Sequence, residues 1–249
     1  MRRFFVEYIP GEGGLIFLTC KEANHIRNVL RMKRGDTLSV MDGKGHLVEA
    51  TIEELHPKGV RVKIIRSLPA PAPSPVEIHL AQALIKSRPM DSLIQKATEL
   101  GVSSITPFAS ERTAARIRPE HLSRKMDHWE EIIKAACKQS GRPNLPTLNP
   151  PLAFEALIGN APHQGTLKVL LWEAEKEADL KGLLRSGGQP SHILAIVGPE
   201  GGFTPREIRN ARNAGFRIVS LGSRILRSET AAITIVSIIQ YEWGDLSVR

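Results

Sequence analysis

Two short stretches of this 249-residue chain carry charge where chemistry could use it. The first is Gly198-Pro199-Glu200-Gly201-Gly202, directly after the apolar run Ile193 to Val197. The second, LGSRILRSETAA from Leu221 to Ala232, sets Arg224, Arg227 and Glu229 between the apolar segments FRIVSLG and AITIVSII. Charge buried in a core is costly unless it is paired or used, so the second stretch asks for a partner or a ligand. A glycine-rich loop lets backbone approach a ligand closely. Phosphate-cradling loops read GxGxxG or GxxxxGK[ST], and the first stretch matches neither. It has no lysine, and Glu200 would repel phosphate, so a ligand with neutral polar or positive groups suits it better. Plainer readings stand beside these. The glycines could serve a tight turn, Glu229 could be helix-capping electrostatics, and Arg224 and Arg227 could be its salt-bridge partners.

These groups need elements to hold them. Ile193 to Val197 fits a buried strand. Thr204, Pro205 and Glu207 then form a helix start, with Thr as N-cap, Pro at the first helical position and Glu closing a capping box. FRIVSLG reads as a strand ending at Gly222, with Ser228 as the expected N-cap and Glu229 in the first turn, where a helix dipole favours negative charge. Loops from successive strand ends of one α/β sheet should lie side by side, where such sheets bind ligands. A third junction, QALIKSRPM, puts Lys86 and Arg88 between a strand and a helix; otherwise it is a solvated turn. A fourth, KQSGRPNLP, carries Gln139, Arg142 and Asn144 after a helix; otherwise it is a helix end and exit loop.

The rest of the chain falls on either side of LPAPAPSPVE, where Pro69, Pro71, Pro73 and Pro75 favour an extended, semi-rigid spacer. The split gives residues 1–70, a linker at 71–76 and residues 77–249. Before it, DTLSVMDG, HLVEATIEEL and GVRVKIIRSL read as strands. One helix is expected at KEANHIRNVLRM, where Ile26, Val29 and Leu30 have helical spacing. A small β-barrel with a basic helix fits. After it, strands VEIHLAQAL, SSITPFAS, LKVLLWEA, HILAIV and FRIVSLG alternate with helices MDSLIQKATELG, KMDHWEEIIKAACKQSG, TPREIRNARNAG and SETAAITIVSIIQYEW. That rhythm predicts an α/β domain with a mainly parallel sheet.

Composition narrows the function classes. Hydrophobic residues make up 41% and charged residues 24%, an ordinary globular balance, and no apolar run approaches the roughly 18 residues of a membrane span. In MRRFFVEYIP, Glu7 and Pro10 cut the apolar run short, so it reads as mature protein rather than a signal peptide. Cys20 and Cys137 are far apart and lack metal-ligand spacing, so a reduced, cytoplasmic protein without a metal is expected. The net charge of +8 favours an anionic partner, nucleic acid above all, against the alternative of a generally basic soluble enzyme. Residues 1–70 hold 12 Lys/Arg against 8 Asp/Glu, the denser share of positive charge.

GPEGGF, LGSRILRSETA, KSRPMDSLIQKATELGV and HIRNVLRMKRGD together resemble the RsmE family, the 16S ribosomal RNA uracil-N3 methyltransferases of the SPOUT superfamily. The motifs span Met1 to Trp243, nearly the whole chain. The resemblance implies a PUA-like β-barrel, an α/β domain with a deep trefoil knot, a homodimer, and S-adenosylmethionine bound in a bent shape among the knot loops. It implies cofactor contacts from Val197, Gly198, Pro199, Glu200, Gly201 and Gly202, and from Leu221, Gly222, Ile225, Leu226 and Thr230, largely through backbone. The excess apolar surface of AAITIVSII then becomes a dimer-interface helix.

On that resemblance the substrate is 16S rRNA, free or in the small ribosomal subunit, and the reaction is a step of ribosome biogenesis. Arg227 is the first candidate for stabilising the uracil anion or orienting phosphate, Arg224 the second, and Glu200 or Glu229 the candidate base. Arg2, Arg3, Arg27, Arg31, Lys33 and Arg34 form the expected RNA-gripping face, extended by Lys86, Arg88, Arg112, Arg116 and Arg142, against the alternative of a solvated basic surface. The competing functions are a SPOUT methyltransferase acting on another RNA, such as a tRNA ribose, and a non-enzymatic RNA-binding assembly factor. A nicotinamide oxidoreductase lacks its GxGxxG.

Overall fold

The computed structural model describes residues 2–160 and 164–246. The chain divides into two compact units: Met1–Ala72 with Lys134–Leu145, and Pro73–Ile133 with Pro146–Arg249. The segment Lys134–Leu145 is an addition that a split at one point of the chain leaves out.

The first unit is built on β1 (Arg3–Phe5), β2 (Leu15–Leu18), α1 (Cys20–Asn24), β3 (Thr37–Met41), β4 (Leu47–His56) and β5 (Gly59–Ser67). Its five-stranded sheet runs β1-β3-β4-β5-β2 and is antiparallel except where β1 joins β3. Alternation explains the sheet: Val48, Ala50 and Ile52 on β4 and Val60, Val62 and Ile64 on β5 turn inward to one core with Phe4, Ile16, Leu18, Leu38 and Val40, while Arg61 and Lys63 face water. Strands β1 and β2, of three and four residues, are too short for period-two patterning to stand out.

The expected helix at residues 21–32 is corrected. After α1 the chain makes a π-helical turn over His25–Val29, closed by the Leu30 N–H on His25 O at 2.9 Å. The wider turn buries Ile26 but leaves Val29 64% exposed, so the three apolar residues do not share one face. Arg31 then takes φ 51, a left-handed conformation that ends the helical path. In the segment Lys134–Leu145, burial pushes the Cys137 thiol up to about 11 against the opposing charge of Arg142, which leaves it an inert thiol.

The second unit contains β6 (Glu77–Ala83), α2 (Ser87–Glu99), β7 (Ser104–Ala109), α3 (Pro119–Ser140, to Ile133), β8 (Thr147–Leu148), β9 (Leu152–Ala153), α4 (Phe154–Gly159), β10 (Leu167–Leu171), α5 (Leu180–Ser186), β11 (His192–Val197), α6 (Pro205–Asn213), β12 (Arg217–Val219) and α7 (Ser228–Glu242). Its sheet is parallel throughout, in the order β12-β10-β11-β6-β7-β8, with β9 also on β7. β11 is buried from Ile193 to Val197 because helices cover both faces of such a sheet. Helix α2 begins three residues earlier than expected and α3 six. Pro89 and Pro119 lie in first turns, where the N–H groups have no intrahelical partner anyway. The short α4 and α5 were not foreseen, because one or two turns carry too little periodicity.

Asp91 on α2 holds α3. It pairs with His128 Nε2 at 2.9 Å and accepts from Trp129 Nε1 at 3.1 Å and Lys125 Nζ at 3.4 Å. Desolvation alone would raise its pKa, but the His128 hydrogen bond, the Lys125 and His128 charges and the Trp129 bond outweigh it and hold the carboxyl below its usual value. None of the helices among the described residues is long and apolar enough to cross a membrane.

Candidate active site

Three neighbouring strand ends build the site. Because β10 lies between β11 and β12 in the sheet, the chain leaving each strand reaches the same edge. There Leu171, Trp172 and Glu173 after β10, the Gly198–Phe203 loop after β11 and the Leu221–Ser228 loop after β12 line a cleft of about 680 Å³. The volume is that of a small-molecule or cofactor pocket.

The Gly198–Phe203 loop is held from below. Gly202 N–H donates to Pro199 O at 3.0 Å, and Phe203 packs on Phe154 and Phe108 at ring separations of 5.4 and 6.3 Å. The capping box at Thr204 and Glu207 forms, with Pro205 opening α6. The fully buried Glu207 carboxylate accepts from Thr204 N at 2.8 Å and from Glu111 N at 2.9 Å. Arg112 Nη1 donates to Gly201 O at 3.2 Å. Gly202 has φ 67, in the left-handed region that favours glycine, and a Cβ there would come 2.5 Å from Glu173 Oε1 and displace that side chain into the cleft.

The second loop is held differently. Ser228 is not the N-cap of α7: Arg227 occupies that position with no side-chain cap. Ser228 is the first helical residue and is buried. Its hydroxyl donates to Gly198 O at 2.5 Å and accepts from Gln82 Nε2 at 2.8 Å. The serine therefore fastens the second loop to the first instead of satisfying its own helix. Among the described residues Arg224, Arg227 and Glu229 make no ion pair or side-chain hydrogen bond, so the salt-bridge reading of the arginines is set aside. Ile225 is 85% exposed on the cleft, a large apolar side chain that fills no core.

Arg224, Arg227, Glu200 and Glu229 all line the cleft, as do Val197 to Gly202, Leu221, Gly222, Ile225 and Leu226. Thr230 is exposed and does not. Lys86 lines it too, with its N–H 3.5 Å from Glu200 Oε1, and Arg88 is exposed nearby on α2. Trp172, Glu173 and Phe203 were not among the expected site residues, and Ser228 was expected only as an N-cap. LKVLLWEA was legible as a strand, but only the sheet order shows that its end joins the other two.

The expected RNA-gripping residues divide. Arg3 donates to Lys138 O and Gln139 O at 2.9 and 3.3 Å, Arg27 to His56 O and Pro57 O at 2.9 and 3.0 Å, and Arg2 reaches Leu30 O at 3.5 Å. Arg112 serves Gly201, and Arg142 is half-buried. Arg31, Lys33, Arg34 and Arg116 are exposed.

Residues 72–240 match the family model described as an RNA methyltransferase domain, and residues 18–65 the model described as an RNA methyltransferase PUA domain. A relative from Buchnera aphidicola subsp. Schizaphis graminum, named ribosomal RNA small subunit methyltransferase E, is 30% identical over 98% of both chains. The chain belongs to this methyltransferase family. A namesake from Mesomycoplasma hyopneumoniae is 32% identical over 95% of this methyltransferase and 98% of its own length. Among solved structures, a putative methyltransferase from Legionella pneumophila with bound SAM superposes on this enzyme with a TM-score of 0.90 and 38% identity over 98% of both chains. The Neisseria gonorrhoeae methyltransferase E bound to S-adenosylmethionine gives 0.90 and 32% over 98% and 99%. The present enzyme is an S-adenosylmethionine-dependent ribosomal RNA methyltransferase with a PUA-like domain.

The cleft fits that cofactor on its own chemistry. Close-packed glycine backbone suits amide-like recognition of adenine and the amino-acid end, Ile225 and Leu226 offer apolar cover, and Glu173 and Glu200 put negative charge where a sulfonium cation is welcome.

Proposed function

We propose that this methyltransferase modifies N3 of a uridine in 16S rRNA, as free rRNA or in the small ribosomal subunit, in the cytoplasm. The observation that carries the reading is the pair of unengaged arginines, Arg224 and Arg227, on the loop that Ser228 fastens to the glycine wall. Uracil N3 bears a proton and lies on the pairing edge, so the base must be unpaired or extruded to react. When bound, S-adenosylmethionine supplies an electrophilic methyl group on a sulfonium. Arg227, assisted by Arg224, stabilises the negative charge left on the ring as the N3 proton departs. Glu200 or Glu229 accepts that proton, directly or through water. Ile225 and Leu226 hold the reacting groups together and exclude water.

The same reading makes residues 1–70 a PUA-like RNA-gripping module, 71–76 a linker and 77–249 the knotted catalytic domain. Arg31, Lys33 and Arg34, exposed and free to meet phosphates, support the first assignment. A homodimer through α7 is supported by the half-buried Ile233 and Ile238 and the 65% exposed Tyr241 on that helix. Sedimentation velocity checks the dimer.

Mass spectrometry of nucleosides from small subunits and, separately, from tRNA, each incubated with enzyme and labelled S-adenosylmethionine, tests the reaction. The expected product is 3-methyluridine. A 2′-O-methylated nucleoside, or label appearing only on tRNA, would replace this reading. No heat of binding on titration with S-adenosylmethionine would favour a non-enzymatic assembly factor instead.

A further inference from the structure

At the other end of β11 from the cleft, and on its neighbour β6, lies a cluster that the proposed methyl transfer does not use. Glu77 and His79 sit two residues apart on β6 and so on one face of the sheet. His192 opens β11 and is in register with Glu77. The Glu77 carboxylate is 3.5 Å from His192 Nδ1 and 3.9 Å from His79 Nε2, and one ligand atom from each residue lies within 4.8 Å of the others. The imidazoles stack at 6.0 Å with 21° between their planes.

We propose that Glu77, His79 and His192 form a binding site for a divalent first-row transition ion, zinc above all, with water as the fourth ligand. The donor set of two imidazoles and one carboxylate suits such an ion. Ligand bonds of about 2.0–2.1 Å in a tetrahedron put neighbouring donor atoms about 3.4 Å apart. The 3.5 and 3.9 Å separations from the carboxylate are close to that spacing, and the two imidazole nitrogens, within 4.8 Å of each other, must draw together by up to about 1.4 Å to close on an ion. An outer shell is present as well: Ser104 Oγ on β7 lies 2.9 Å from His79 Nδ1, which orients the ring with Nε2 toward Glu77. The Glu77 side chain is half exposed, which gives an ion access from solvent. Six residues of strand at about 3.3 Å each separate His192 from Gly198, so the site is about 20 Å from the methyl-transfer cleft. Its consequence is structural: a bound ion ties adjacent strands β6 and β11 together and stabilises the folded state by mass action.

Cobalt(II), then zinc(II), titrated into the full-length, chelator-treated and dialysed enzyme tests this. The expected result is one equivalent of cobalt with the visible bands of a four-coordinate ion, displaced by zinc, and a zinc-dependent rise in melting temperature. Glu77→Gln and His192→Gln should each weaken cobalt binding at least tenfold and abolish the rise, and Ser104→Ala should weaken binding about tenfold. His79→Gln should do the same as His192→Gln; if that more buried variant does not fold, the two more exposed positions decide. The dialysed enzyme should retain methyl transfer. Absence of stoichiometric cobalt binding, binding that survives Glu77→Gln and His192→Gln, or a sulfur-to-cobalt charge-transfer band would overturn the site.

Discussion

The two loops that face each other across the cleft are held in opposite ways. The Gly198–Phe203 loop is tied down along its length by its own turn, by Arg112 on Gly201 and by the phenylalanine cluster, and the capping box and Glu111 fix the start of α6 directly after it. The Leu221–Ser228 loop is fastened at one end by Ser228 and elsewhere presents Arg224, Ile225 and Arg227 to solvent. The contrast matches two tasks. A wall that recognises a cofactor through backbone must be preorganised, since its amides cannot be aimed by rotamer changes. Arginines with the proposed task of meeting an RNA base and its developing charge gain from staying unengaged, because pairing them within the protein would cost their use on substrate.

Four measurements break or sharpen this contrast, in descending order of effect. Arg227→Ala should lower single-turnover methyl transfer by about a thousandfold, the scale of losing one electrostatic stabiliser. Calorimetric affinity for S-adenosylmethionine should stay within about threefold if that arginine serves substrate alone; wild-type turnover in this variant would end its assigned role. Gly202→Ala should act the other way round. Its φ of 67 and the close approach to Glu173 make the added Cβ strained, so cofactor affinity should fall about tenfold or more while residual chemistry at saturation survives. Ser228→Ala strips a hydroxyl that serves Gly198 and Gln82, and should destabilise the fold by about 1–2 kcal/mol in urea titrations, with a few-fold weaker cofactor binding. A fall confined to RNA binding would show that the loops are not coupled through this serine.

The smallest effect is a control outside both loops. Asp91→Asn should cost about 1 kcal/mol or less near pH 7, after allowing for solvent screening of a partly exposed group. The Asp91 pKa is lowered in the fold, so its stabilisation is present above the unfolded-state pKa and disappears as pH falls through the folded value. The stability gap between variant and wild type, read by denaturation at pH 7 and pH 3, should therefore narrow in acid, with cofactor affinity unchanged at pH 7.

Much of the fold was legible because its signals are local. Alternation along Val48, Ala50 and Ile52 marks a half-buried antiparallel strand, and the unbroken run Ile193 to Val197 marks a parallel one. Thr204-Pro205-Arg206-Glu207 announces its capping box in four residues. Where the backbone departs from regular geometry, local spacing misleads. The π-helical turn at His25–Val29 separates apolar residues that a regular helix would align.

The sequence by itself determined the residue types of the chemistry: glycines for close backbone approach, arginines and glutamates beside them, and a parallel sheet to carry them. Tertiary structure decided who meets whom. The place of β10 between β11 and β12 brings Trp172 and Glu173 to the cleft, and Ser228 finds Gly198 and Gln82 rather than its own helix. His192 meets Glu77 and His79 across a parallel register. Spacing along a chain fixes which side chains share a face, but parallel strands are joined by long crossovers, and only the packed sheet settles which strands become neighbours.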